Sequence, residues 1–255
     1  MRIFKERVGI VTGGTGEGIG RSIAFTMARE GAKIVINYGT GHPNNVSAAE
    51  KVITEIRSLG GKGYAFNADT RRDEEVSEMV EGVMRLYGRI DFMIVNSGGA
   101  WDEKDITEIE SAHWQSVVQA EIDGLFNCVR HVLPHMRKER FGRIIAIGNA
   151  DAGHSSGLPH DYFAGKNART ALIRSLAAAE MERRITFNVV APSHTPRHTI
   201  KQAVDAAKHS PIYTQRTHAL PQDAAEVVRF LCTDEAAFVN GSVIQLGGRG
   251  QSQPG

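Results

Sequence analysis

Thr12-Gly13-Gly14-Thr15-Gly16-Glu17-Gly18-Ile19-Gly20 closes the apolar run Val8 to Thr12 and opens a stretch, Gly18 to Glu30, whose apolar residues recur every three or four positions. A short apolar run reads as a buried strand and the longer period as an amphipathic helix, so the glycines occupy a strand-to-helix turn. Glycine allows the tight turn and lets a phosphate approach main-chain N–H groups, while the helix N-terminus adds partial positive charge. In that setting the stretch reads as a cradle for the pyrophosphate of a dinucleotide; alone it would be a plain glycine turn.

The same alternation continues along the chain. Further strands are expected at Lys33 to Asn37, Gly63 to Phe66, Asp91 to Val95, Arg143 to Gly148, Ile185 to Val190 and Ser242 to Leu246. Ala48 to Leu59, Asp73 to Tyr87 and Asp161 to Arg183 carry helical periodicity between them. Right-handed crossovers between parallel strands place helices on both faces of one sheet. The expected architecture is therefore a single α/β domain over residues 1–255, doubly wound around a mostly parallel, seven-stranded sheet of Rossmann type. One segment, 193–220, breaks the rhythm with prolines, histidines and a short helical piece at Ile200 to Lys208. It follows a strand at the carboxyl edge, where such sheets bind ligands, and reads as a substrate lid or else as a surface excursion.

With 30 Lys and Arg against 29 Asp and Glu, the net charge of +1 generates no field that would recruit nucleic acid or membrane. No apolar run is long enough for a membrane span, and Met1 to Thr12 lacks an export signal's apolar region, so a cytoplasmic setting is expected. Cys128 and Cys232 read as inert core thiols. Partners are then small molecules or further copies of the chain.

After the third strand, Asn67-Ala68-Asp69-Thr70 places a carboxylate where an adenine amino group would meet it, and after the fourth, Asn96-Ser97-Gly98-Gly99 leaves room for a ribose and a nicotinamide. Either is also an ordinary strand-end turn. After the fifth, Tyr162-Phe163-Ala164-Gly165-Lys166 opens a helix with the phenol and the ammonium on one face.

Across essentially its whole length the chain resembles the short-chain dehydrogenase/reductase family, with variant catalytic positions. The glycine loop, Asp69, Asn96 to Gly98, Tyr162 with Lys166, Asn188 to Pro192 and the closing Val239-Asn240-Gly241 to Gly248 carry the resemblance. It implies hydride transfer between a nicotinamide and a small carbonyl or alcohol, with Tyr162 as general acid or base and Lys166 as the cation that favours its phenolate. Gly13, Thr15, Gly16, Gly18, Ile19, Gly20, Asp69, Thr70, Asn96, Gly98, Tyr162, Lys166 and Pro192 become candidate cofactor contacts. A homodimer or homotetramer built on the long helices is implied as well.

Three positions depart from the family pattern. The glycine loop is one residue longer between Thr12 and Gly18. Asn149 stands thirteen residues before Tyr162, where the family has a serine; its amide is expected to donate to the substrate oxygen, with Ser155 or Ser156 as rivals. Glu121 stands where the family has an asparagine. Within about 4 Å of Lys166 it would interact by up to roughly 4 kcal/mol at an effective dielectric of 20, and so weaken the cation's pull on Tyr162. It would equally carry protons, or point to solvent or a subunit interface. These substitutions keep a redox-inactive, cofactor-sensing protein open as the alternative to an enzyme.

An acid closing the second strand would select NAD; Ile36-Asn37-Tyr38-Gly39-Thr40 has none. NADP is therefore favoured, with Asn37, Tyr38 and Thr40 around its phosphate, although Glu17 replaces a frequently basic neighbour and NAD stays open. Arg197, Lys201, Lys208 and Arg216 on the proposed lid suit an acidic substrate or are merely solvated. His194 and His198 straddle Pro196 without a third ligand, so no metal site is expected.

Overall fold

The computed structural model describes residues 2–39, 45–99, 102–153, 159–209 and 216–247. Strands β1 (Val8–Val11), β2 (Lys33–Tyr38), β3 (Lys62–Asn67), β4 (Phe92–Val95), β5 (Gly142–Ile147), β6 (Ile185–Pro192) and β7 (Val243–Leu246) form one seven-stranded sheet in the order β3-β2-β1-β4-β5-β6-β7. Every pairing is parallel, so the sheet expected to be mostly parallel is wholly so. β1, β4 and β5 are buried throughout, which is why they read as unbroken apolar runs rather than as alternations.

Successive side chains of the strands feed two cores. Ile34, Ile36, Phe92, Ile94, Ile145 and Ile147 pack with α1 (Ile19–Arg29), α2 (Asn45–Ser58), α6 (Ile200–Lys208) and α7 (Pro221–Leu231). Val35, Met93, Val95, Ile144, Phe187 and Val189 pack with α3 (Asp73–Tyr87), α4 (Ser111–Glu139) and α5 (His160–Glu180). The chain runs outward from β1 through β2 to β3, then returns to place β4 on the other side of β1. That reversal opens a crevice at the carboxyl ends of β1 and β4, the place where doubly wound sheets bind ligands.

Most strand and helix ends shift by a residue or so from the sequence reading, α2 begins three residues earlier, at Asn45, and two further boundaries move for a visible reason. β6 continues two residues past Val190 to Pro192, because its pairing with β7 extends to Pro192 and Leu246. The α5 helix ends at Glu180, and Met181–Arg183 tighten into a single 3-10 turn before Arg184 adopts a left-handed conformation, φ 60°.

Candidate active site

The crevice is assembled from the turn after β1. Thr12 Oγ1 accepts from the backbone N–H of Asn96 at 3.0 Å and of Ser97 at 2.9 Å, which fixes the ends of β1 and β4 to one another. The Asn96 amide returns a bond to Thr12 O at 3.0 Å. Gly13 is left-handed at φ +64°. A Cβ on Gly20 would sit 2.7 Å from Gly13 O, so packing dictates that glycine, whereas Gly18 has nothing within 4 Å. No side chain caps the start of α1 at Gly18, and its first turn holds no acid. The N–H groups there face a cavity of about 370 Å³ lined by Gly13, Gly16, Gly18, Ile19 and Gly20 on one side and by Asn96, Asn149, Tyr162, Lys166 and Pro192 on the other.

Gly13 also borders a second cavity, of about 530 Å³, lined by Asn37, Asp69, Thr70, Arg71 and Gly98 among others. Two of its side chains are already engaged. The Asn37 amide is buried and donates to Ala68 O at 2.8 Å. Asp69 is gripped by Arg71, with Nη2 at 2.6 Å from Oδ2, and this bond is the main reason its carboxyl lies below the usual range. Thr15 and Tyr38 line neither cavity, and Thr40 lies outside the described residues.

The end of β5 delivers Gly148 and Asn149 to the first cavity, and the opening turn of α5 delivers Tyr162 and Lys166. Asn149 Oδ1 accepts from Asp151 N at 2.7 Å and its side chain is hydrogen-bonded to the Tyr162 hydroxyl. Lys166 is buried; its Nζ donates to Ile147 O at 3.2 Å and lies 5.1 Å from the centroid of the Tyr162 ring. The phenol is not depressed as the resemblance implied. Burial, and after it the Glu121 charge, push it up to about 12, against the opposing pull of Asn149 and Arg169.

A family profile described as Enoyl-(Acyl carrier protein) reductase matches residues 14–248. The chain is a short-chain dehydrogenase/reductase. It is 29% identical to 3-oxoacyl-[acyl-carrier-protein] reductase FabG of Staphylococcus epidermidis, over 94% of this chain and 96% of that protein. A short chain dehydrogenase of Claviceps purpurea and the short chain dehydrogenase/reductase dmxR18 of Cryptosporiopsis sp. are each 30% identical, over 95% of this chain and 94% of theirs. It is accordingly an NAD(P)-dependent oxidoreductase of small molecules. Among the described residues, no helix is long and apolar enough to cross a membrane.

In this short-chain dehydrogenase/reductase, Glu121 is fully buried, which overturns the reading that points it to solvent or a subunit interface. Its Oε2 lies 3.2 Å from Lys166 Nζ and 3.0 Å from Arg169 Nε, and Oε1 accepts from Gly99 N at 3.1 Å. Arg169 escaped the sequence reading because an arginine on a helix ordinarily extends into water. The signal that would have found it is the need of a buried Glu121 for a counter-charge beyond Lys166. Asp161 was missed too: buried beside Tyr162, it accepts from Tyr162 N at 2.7 Å and stands 3.2 Å from His113 Nε2.

The glycine loop is also bonded to a distant segment. Glu17 O accepts from His198 N at 2.8 Å, and Arg21 donates to His198 O, so the turn is bonded directly to the segment after β6. That segment brings Ser193, His194 and Thr195 to the first cavity, then enters α6 through a capping box between Thr199 and Gln202. Residues 210–215 lie outside the described residues, as do Ser155 and Ser156.

Proposed function

We propose that this enzyme is a reductase, using NADP(H) to convert a small carbonyl compound to its alcohol with Tyr162 as proton donor. One observation supports the reading above the others: Tyr162, Asn149, Lys166 and an uncapped helix N-terminus line a single cavity. The cradle suits a dinucleotide, since Gly16 and Gly18 leave main-chain N–H groups open to a pyrophosphate, with Asp69 and Thr70 toward the adenosine and Lys166 and Pro192 toward the nicotinamide ribose. When bound, that cofactor supplies the hydride.

The chain's own residues supply the rest. The phenol is protonated at neutral pH, the form from which a proton donor starts. Asn149 orients the hydroxyl and is placed to share the substrate oxygen with it. Lys166, buried and cationic, stabilises the phenolate left when the proton departs. The segment 193–220 acts as the lid that excludes water from this step, its first residues already in the cavity wall. The absence of an acid closing β2, with Arg71 in the wall of the second cavity, supports NADP over NAD. Half-exposed Phe126 and partly exposed Trp114 on α4 support assembly as a homodimer or homotetramer through the long helices, and two buried free thiols suit the cytoplasm. Names of relatives ending in reductase agree with the chemistry.

A panel of aldehydes and ketones followed by NADPH absorbance tests the proposal. Tyr162→Phe is expected to lower kcat by at least about a hundredfold, with NADPH affinity retained. Undiminished turnover in that variant, or no association of the wild-type protein with NADPH or NADH, would remove the reading.

A further inference from the structure

Lys166 and Arg169 are one turn apart on α5 and share the same two neighbours. Lys166 Nζ donates to Ile147 O at 3.2 Å and stands 3.2 Å from Glu121 Oε2; Arg169 donates to Ile147 O through Nη1 at 3.0 Å, and its Nε, whose single hydrogen goes to Glu121 O, stands 3.0 Å from Oε2 as a close charge contact. Arg169 continues to Glu121 O at 2.7 Å and to Ser97 O. It therefore ties α4 and the ends of β4 and β5 to the helix that carries the phenol. All three charged side chains are nine-tenths buried or more. One carboxylate and two cations leave a net charge of +1, the charge Lys166 would have alone beside a neutral residue. A buried carboxylate with Lys166 as its sole partner would instead close into a neutral ion pair.

The surroundings are matched to this arrangement. A Cβ on Gly165 would lie 2.7 Å from Glu121 Cβ, and one on Gly98 would lie 2.3 Å from Glu121 Oε1. Two elements thus omit side chains where the larger acid needs room. The groups facing Lys166 are Glu121 from α4 and Tyr162 and Arg169 from its own helix, with the neutral Ile147 carbonyl on the sheet side; the Cys128 thiol interacts with Arg169.

We propose that Arg169 is a positioning residue paired with Glu121: its guanidinium stands against the carboxylate and holds the strand-end carbonyls, so that Lys166 is not closed into a neutral ion pair with Glu121 and its ammonium is left toward Tyr162. This rests on the assignment of Tyr162 and Lys166 as the acid and its cation.

The test measures the Lys166 titration midpoint in the cofactor-free protein, by pH-dependent trace acetylation with acetic anhydride and mass spectrometry, alongside the pH profile of kcat/KM. Arg169→Met leaves Lys166 to Glu121, so its midpoint and the alkaline limb of the profile should both rise by about one unit, with kcat down roughly tenfold. Glu121→Gln leaves two adjacent cations and should move both downward by about as much. The double variant should return to within about half a unit of wild type, and Arg169→Lys should stay close to it. If Arg169→Met does not fold, Glu121→Gln and Arg169→Lys still read the same midpoint. A midpoint unmoved in Glu121→Gln or in a folded Arg169→Met, one displaced in Arg169→Lys, or a double variant as displaced as either single one, overturns the proposal. Retained turnover in Tyr162→Phe would instead defeat the catalytic assignment without touching these midpoints.

Discussion

At the residue scale the exchange of a hydroxyl for an amide at position 149 is the substitution nearest the chemistry. Its Oδ1 is held by Asp151 N, which turns the rest of the amide toward Tyr162. A donor aimed at a developing oxyanion contributes on the order of 3 kcal/mol. Asn149→Ala should therefore lower kcat/KM by about a hundredfold with unchanged NADPH affinity, and Asn149→Ser should recover most of the loss. Steady-state kinetics with NADPH and a ketone that the enzyme reduces decide it; an alanine variant as active as wild type would show that another group meets the substrate oxygen. Position 149 was legible in the sequence because it stands at a fixed distance from a recognisable tyrosine. Arg169 was not, since its role is created by Glu121, 48 residues earlier, and such a pairing leaves no local pattern.

At the scale of elements the glycine loop and the segment after β6 behave as one unit. Glu17 O and Arg21 hold both the N–H and the C=O of His198, and Arg21 is buried while its Nε has no hydrogen-bond partner among the described residues. Removing the guanidinium releases the carbonyl of His198 without disturbing the turn itself. Arg21→Met is expected to increase cleavage by a nonspecific protease within 193–209, and to raise the substrate KM by roughly fivefold with a smaller effect on kcat. Mapping of cleavage sites by mass spectrometry checks it, and an unchanged digestion pattern would sever the link between loop and lid. The longer loop was visible in the sequence, but the bond at Glu17 O was not, because it is made to backbone 181 residues away.

For the whole molecule, the sheet was readable because central parallel strands are continuous apolar runs and each is followed by a helix with a clear apolar stripe. The site was readable as far as it consists of strand ends, which the topology gathers at one edge. What stayed hidden is electrostatic: three ionised side chains enclosed together, a feature that composition averages away in a chain of net charge +1. Such an enclosure has a cost in stability that can be measured. The Lys166 value, lowered to about 8, lies below that of an unfolded lysine, near 10.4, so between those limits the unfolded chain binds more protons and stability rises with pH. Below about 8 both states are protonated and the destabilising contribution is complete. Lys166→Met keeps most of the side-chain volume and leaves Glu121 paired with Arg169. The inactive variant is therefore expected to be more stable than wild type at pH 7, by about 1–3 kcal/mol, with the advantage shrinking as pH approaches 10. Urea unfolding at about pH 7 and about pH 9.5 measures both, below the region where the raised Tyr162 phenol contributes with the opposite sign. A methionine variant less stable at both values would mean that the ammonium stabilises the fold through Glu121 more than its burial opposes it.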